Sequence, residues 1–234
     1  MVDVSGLAKP FIFRTIRREL TSKGRVLVCY AEAEEQYPLR EDVEGLLAVE
    51  RLNEPVVFLE RLADVLMGEK GPYKDVKLLE EEGDPSRARA LIAFTSAKHE
   101  RLFTLLDMRE FDRIEVVAPL GDDPRAKVAG LAAEVVRQGY PNSVLGRVDP
   151  YDLIKLVDYL DERYLDLYGS GGANVEIGLT GSKLQAIAAA ILSARRKVAQ
   201  AWYLRPAEFD PKRFSSGVGR IRIFDIRTPI AGGA

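Results

Sequence analysis

Short apolar segments alternate with amphipathic ones along much of this 234-residue chain, and this alternation limits its folds more than any other feature. Strands separated by helices of this length usually pair in parallel, with helices on both faces of the sheet. We therefore predict an α/β fold: a doubly wound, Rossmann-like, mainly parallel sheet. A period-two pattern near the C-terminus predicts a last strand, for which an antiparallel place at a sheet edge is one option. The apolar segments lie at residues 90–94, 113–118, 143–148, 175–179 and 199–204, and the last strand at 219–226.

The same patterns divide the chain into three predicted units. Residues 1–38 form an N-terminal strand–helix–strand unit, in which Pro10 suits a first helical turn and Gly24 ends the helix. Residues 39–87 form a connector or insertion, in which we predict a weak helix over 42–49, a helix over 55–67 and a short strand over 76–79. Residues 88–234 form the ligand-binding domain. The first strand begins almost at Met1, so either this strand starts the protein or a segment preceding it is missing.

Composition excludes several classes of partner. A formal charge of −2 argues against a broad nucleic-acid surface, although a local basic pocket remains compatible with it. The longest apolar run, 186–192, is far shorter than the ~20 residues that span a bilayer. With Cys29 as its only cysteine the chain forms no intrachain disulfide, and we expect a cytoplasmic protein without a membrane partner.

The best candidate for a binding site follows the apolar segment 175–179. Thr180, Gly181 and Ser182 predict a tight turn, and Lys183 opens a helix. Such a turn directs free backbone N–H groups and the positive end of the helix dipole at one point, where the lysine adds a cation. We predict that an anion, most plausibly a phosphate, binds there. The alternative is an ordinary helix cap.

Two further turns supply candidate residues. Ser96, Lys98 and Arg101 follow a strand and would line the other wall of the site, unless they are a solvated helix start. Near the N-terminus, Ser5 and Gly6 also lie between a strand and a helix, as Thr180 and Gly181 do. If this similarity is an internal repeat rather than chance, both turns face the same end of the sheet and suit a ligand with more than one phosphate.

A resemblance to a known protein family implies what kind of ligand binds at these turns. Val-Asp-Pro-Tyr-Asp-Leu at 148–153, then Asn-Val-Glu-Ile-Gly-Leu-Thr-Gly-Ser-Lys at 174–183 before an Ala-Ile-Ala run at 186–188, resembles the CRISPR-associated Rossmann fold (CARF) nucleotide sensors. The similar stretch covers roughly residues 88–210, and the loop at 95–101 falls where such domains place their first ligand loop. The chain departs from the family in having Gly-Ser-Lys instead of two consecutive glycines, and in lacking a recognisable effector domain.

What the resemblance implies is a sensor of cyclic oligonucleotides or related nucleotide signals in antiviral defence, commonly a homodimer across a two-fold axis. Segments 2–6 and 214–220 also resemble an uncharacterised bacterial Rossmann-like group. No cofactor, catalytic residue or metal ligand is assigned by these patterns.

Two alternatives stay open on the sequence. One is an enzyme that cleaves a nucleotide or phosphodiester, in which His99, the only histidine, or Lys98 assists. Its metal would be held by the carboxylates of Glu32, Glu34 and Glu35. The other is a non-catalytic, partner-binding domain whose polar turns are only helix caps.

Overall fold

A computed structural model describes residues 1–49, 54–66, 68–80 and 83–228. Parts of the predicted connector, and residues 229–234 of the third predicted unit, lie outside this description. The strands are β1 (Val2–Asp3), β2 (Arg25–Ala31), β3 (Glu35–Gln36), β4 (Glu69–Lys77), β5 (Arg89–Phe94), β6 (Arg113–Pro119), β7 (Ser143–Val148), β8 (Asn174–Gly178), β9 (Gln200–Phe209), β10 (Ser215–Ser216) and β11 (Ile221–Arg227). The helices are α1 (Lys9–Lys23), α2 (Arg40–Val49), α3 (Pro55–Leu66), α4 (Glu100–Met108), α5 (Pro124–Gly139), α6 (Leu153–Tyr164) and α7 (Lys183–Arg195).

A six-stranded sheet forms the centre of the fold, in the order β4-β9-β8-β5-β6-β7. All neighbouring pairs are parallel except β4 and β9, which run antiparallel at one edge. This architecture confirms the predicted α/β class and its mainly parallel sheet. The predicted connector, residues 39–87, supplies the antiparallel edge strand β4 as well as helices α2 and α3.

A second, three-stranded sheet has the order β1-β2-β11. Strands β1 and β2 are parallel, as the strand–helix–strand unit predicts, and β11 runs antiparallel to β2 at an edge. The predicted antiparallel C-terminal edge strand is therefore present, but it belongs to this smaller sheet. Strands β3 and β10 form a separate two-stranded pair.

The core has a layer on each face of the central sheet, because successive β5 side chains point to opposite sides. Ile92 and Phe94 pack with α1, α6 and α7, whereas Leu91 and Ala93 pack with α4 and α5. Helix α7 is buried from residue 184 to 193, since its many alanines let it pack between α1 and the central sheet. No helix of the described part of the chain is long and apolar enough to cross a membrane.

Candidate anion-binding site

The two turns singled out in the sequence lie against each other. The ammonium group of Lys183 donates a hydrogen bond to the backbone carbonyl of Ser5. In the opposite direction, Lys9 at the start of α1 donates to the carbonyl of Gly181 at 2.6 Å. The lysine that follows each turn thus binds the other turn, which brings the carboxyl ends of β1 and β8 together.

The polar groups of the Thr180 turn are largely used within the protein. The Thr180 hydroxyl is buried, accepts a hydrogen bond from the Phe94 amide at 3.0 Å and donates to the Phe94 carbonyl at 2.6 Å. Ser182 caps α7 by accepting from the Gln185 amide, and the Gln185 side chain accepts from the Ser182 amide. A Cβ on Gly181 would approach Gln185 Oε1 to 1.8 Å, so this capping box requires glycine.

The Ser5 turn is closed in a similar way. Ser5 donates from its amide and its hydroxyl to the Asp3 carboxylate, at 2.9 and 2.6 Å. Its hydroxyl oxygen also accepts from the Ala31 amide at 2.8 Å. Gly6 is exposed, with open space where a side chain would be. The hydroxyls of Ser5, Thr180 and Ser182 therefore shape the turns, and the cations nearby are the groups with capacity for a ligand.

A buried cluster of cations lies beside the Gly181 turn. Arg101 is 4% exposed and forms a two-pronged ion pair with Glu69, which is 2% exposed, including an Nε–Oε1 hydrogen bond of 3.2 Å. The third guanidinium nitrogen, Nη1, has no hydrogen-bond partner within the described structure. The same holds for the Lys98 ammonium and the hydroxyl of Thr95, which are also buried.

The charges in this cluster do not balance. Burial lowers the pKa of Lys98 to about 8, with Arg101 lowering it further and Glu69 opposing the shift. Burial also holds the pKa of Lys9 well below its usual range, and both Arg101 and Lys98 add to that effect. Among the described residues, Glu69 is the carboxylate that acts on all three cationic side chains, and Glu100 lies near Glu69. Buried positive charge without hydrogen bonds is costly, and an anion would relieve it.

The other candidate residues lie at the rim of this cluster. Ser96 is half-buried, and its hydroxyl donates to the Lys98 carbonyl at 3.1 Å, which fixes the loop after β5. Burial lowers the pKa of Lys183, although the Asp3 carboxylate opposes the shift. The structure thus brings Lys183 to the Ser5 turn, and Lys98 and Arg101 to Lys9.

Two residues that matter here are not among the sequence candidates. Lys9 follows Ser5-Gly6 much as Lys183 follows Thr180-Gly181, so the internal similarity carried a signal for it. Glu69 lies on β4 in the predicted connector, and nothing local in the sequence indicates that it pairs with an arginine of α4.

Among the described residues, the side chains considered for a hydrolytic centre have contacts of their own. His99 is 2% exposed, its Nδ1 lies 3.2 Å from the Ala97 carbonyl, and burial lowers its pKa to about 4. Glu32 pairs with Arg222, and Glu35 accepts a hydrogen bond from a serine of β10. No group of three or more histidine, cysteine or carboxylate side chains suited to a metal occurs among the described residues.

Two cavities on the described surface lie away from these turns. One, of about 830 Å³, is bordered by β11 and by parts of α6 and α7, and includes Tyr151, Ile154 and Arg222. The other, of about 90 Å³, lies near Asn174 and Tyr168. None of the candidate binding residues lines either cavity.

Comparisons with known proteins add a distant likeness among solved structures. No family model matches the chain, and no curated protein sequence matches it. Among solved structures, a type III CRISPR defence DNA nuclease activated by cyclic oligoadenylate is similar at 18% identity with a TM-score of 0.39. The alignment covers 66% of this chain and 26% of that nuclease, so the chain spans about a quarter of its length. Activation by cyclic oligoadenylate is described for that nuclease.

Proposed function

We propose that this chain is a cytoplasmic sensor domain that binds a nucleotide or cyclic oligonucleotide, in antiviral defence. The observation that carries the proposal is the cluster of Lys9, Lys98 and Arg101 around the Glu69 carboxylate. In this proposal residues 88–234 form the ligand-binding domain, and the N-terminal unit, residues 1–38, adds Lys9 and the Ser5 turn.

The chemistry of the cluster favours a phosphate-bearing ligand. The unpartnered Nη1 of Arg101 and the ammonium of Lys98 are donors that a phosphate oxygen would satisfy with charge-assisted hydrogen bonds. Lys183, on the far side of the Gly181 turn, offers a second cation. Two cationic positions on either side of one turn suit a ligand with more than one phosphate group.

The ligand class comes from the resemblance of segments 148–153 and 174–183 to CARF sensors. Within that class the phosphates of a cyclic oligonucleotide or nucleotide would lie across the Ser5 and Thr180 turns, with Ser96 at the rim. The same resemblance supports a homodimer, which light scattering of the purified protein would detect as a doubled mass.

Calorimetry with a panel of cyclic oligoadenylates, linear oligoadenylates and mononucleotides tests the proposal. Lys98→Met keeps the length of the side chain and removes its charge, and Lys183→Ala removes the second cation. We expect either change to weaken binding about tenfold or more, because a hydrogen bond to a charged group contributes roughly 1.5–3 kcal/mol.

Lys127→Met is the matched control, since Lys127 lies exposed on α5 and is not among the charged groups that act on Lys98 or Lys9. It should bind with unchanged affinity. The proposal fails if no phosphate-bearing ligand of the panel binds, or if Lys98→Met and Lys183→Ala both bind as the unmodified protein does.

A further inference from the structure

The Lys98 ammonium is closed off by an aromatic ring from a distant part of the chain. Its Nζ lies 3.7 Å from the centroid of the Phe214 ring, at cation–π distance. The Phe214 ring in turn contacts that of Phe209, with centroids 5.0 Å apart and planes tilted by 55°. A ligand phosphate cannot occupy the face of Lys98 that the Phe214 ring covers.

The segment that carries Phe214 is largely exposed. Within residues 210–219, which we call the flap, Phe214 and Gly219 are half-buried, whereas residues 211–213 and 215–218 are exposed. Strand β10 pairs with β3 through only two residue pairs, Ser215 with Gln36 and Ser216 with Glu35. Segments with few buried contacts and exposed backbone hydrogen bonds are those that open locally at low free energy.

The flap also has defined ends about which it could turn. The Asp210 amide donates to the Gly68 carbonyl at 2.7 Å, and the Gly219 amide donates to the Glu32 carbonyl at 2.8 Å. Between them, Gly217 has a φ of 71°, which glycine adopts without strain. Between these two anchors, the Phe214 carbonyl accepts from the Tyr37 amide at 3.1 Å.

A phosphate would be a better partner for Lys98 than the ring is. A cation–π contact leaves the ammonium without a hydrogen bond, whereas a phosphate oxygen supplies both a hydrogen bond and an opposite charge. We propose that the flap is a gate, with Phe214 as its plug, and that it opens before a phosphate-bearing ligand reaches Lys98. This inference rests on the proposed function, because it describes how access to the same site is controlled.

Amine acetylation read out by mass spectrometry tests the gate in the ligand-free protein. The reaction is run at about pH 11, above the usual pKa of lysine, so that the lowered pKa of Lys98 does not set the comparison. Lys98 should then react slowly compared with the exposed Lys127, which serves as the reference within each sample. Phe214→Ala should raise the Lys98 rate about tenfold relative to that reference, since loss of such a contact shifts a local opening equilibrium by roughly that factor. Phe214→Leu keeps an apolar cover and should raise it less.

A reversible lock separates the gate from the site that it covers. Gln36→Cys combined with Ser215→Cys places two thiols at directly opposed positions of β3 and β10, where a disulfide can form. The oxidised double variant should acetylate at Lys98 more slowly than the reduced one, and should bind an oligoadenylate only after reduction. Each single variant, under the same oxidising conditions, controls for effects of Cys29.

The outcomes distinguish the two proposals. If oxidised and reduced forms bind the oligoadenylate equally, or if Lys98 reacts as fast as Lys127 in the unmodified protein, the gate is wrong and the binding site stands. If neither form binds any oligoadenylate, the proposed function is wrong, whatever the acetylation pattern.

Discussion

Replacing Lys98 by methionine should make the ligand-free protein more stable. The Lys98 ammonium is buried without a hydrogen bond in the described structure, and three further cations, Lys9, Arg101 and Arg125, lie within electrostatic reach. Methionine has a similar length, no charge and no polar group to satisfy. The substitution therefore removes an unfavourable charge and leaves the apolar contact with Phe214 largely in place.

The magnitude follows from the pKa of Lys98. Burial lowers this pKa from 10.5 to about 8. One pKa unit corresponds to 1.36 kcal/mol, so the charged form is disfavoured by about 3 kcal/mol in the folded state. The variant also loses the cation–π contact with Phe214, which is worth roughly 0.5–2 kcal/mol. We expect a net gain in the free energy of unfolding of about 1–3 kcal/mol at neutral pH.

The gain should depend on pH in a definite direction. The folded-state pKa of Lys98 lies below that of the unfolded chain, so between about pH 8 and pH 10.4 the unfolded chain binds more protons. In this window the unmodified protein regains stability as the pH rises, because Lys98 becomes neutral. Below about pH 8 both states are protonated and the full penalty applies. Lys9 contributes in the same sense, and because the charge of Lys98 itself lowers the pKa of Lys9, the difference between the two proteins includes this coupling.

Urea unfolding at about pH 7 and about pH 10 measures this difference. Lys98→Met should be more stable than the unmodified protein at the lower pH, and the gap should shrink at the higher one. The exposed control Lys127→Met should change stability by no more than about 0.5 kcal/mol at either pH. A variant that is destabilised by more than about 1 kcal/mol, or a gap that does not change with pH, would refute the reasoning.

Two further predictions concern neighbours of Lys98. Glu69→Gln should lower the free energy of unfolding, measured in urea, by about 3–5 kcal/mol, because it leaves Arg101 buried without its carboxylate. The control Glu44→Gln, in an exposed ion pair, should change it by less than about 1 kcal/mol. A loss below 1 kcal/mol at Glu69 would mean that the pair is hydrated. His99, the only histidine, should give one imidazole NMR signal that titrates near pH 4. The free energy of unfolding should fall as the pH drops from about 6.5 towards 4, because in this range His99 is protonated only in the unfolded chain. A titration near pH 6.5 would restore His99 as a candidate base.

The strand–helix alternation was sufficient to predict the central parallel sheet, because parallel strands need crossover helices and both have clear sequence periods. The division into two larger sheets was not visible in the same way. It depends on α7, whose leucines and isoleucines mark one face while its alanines allow close packing on the others. A helix buried on all sides differs little in sequence from an amphipathic helix with alanines on its outer face. The separate three-stranded sheet was therefore not predicted.

The turns of the candidate site were predicted from the sequence, but the contacts of their residues were not. Hydroxyls at a strand–helix turn serve equally well as caps or as ligand contacts, and here Ser182 is a cap and Thr180 ties β8 to β5. For Lys98 and Arg101 the decisive property is burial. That burial comes from Phe214 and Glu69, residues distant in sequence, and no local pattern reports such contacts.

The stability changes expected for Lys98→Met and Glu69→Gln have opposite signs. This difference distinguishes a binding site from a structural ion pair. If the cluster only stabilised the fold, its charges would be matched, and removing any one of them would be destabilising. Here one carboxylate serves several cations, so removing the carboxylate should destabilise and removing a cation should stabilise. The excess positive charge does not stabilise the ligand-free fold, whereas it would attract a phosphate group. Stabilisation by Lys98→Met together with loss of oligoadenylate binding would therefore connect the unfavourable charge directly to function.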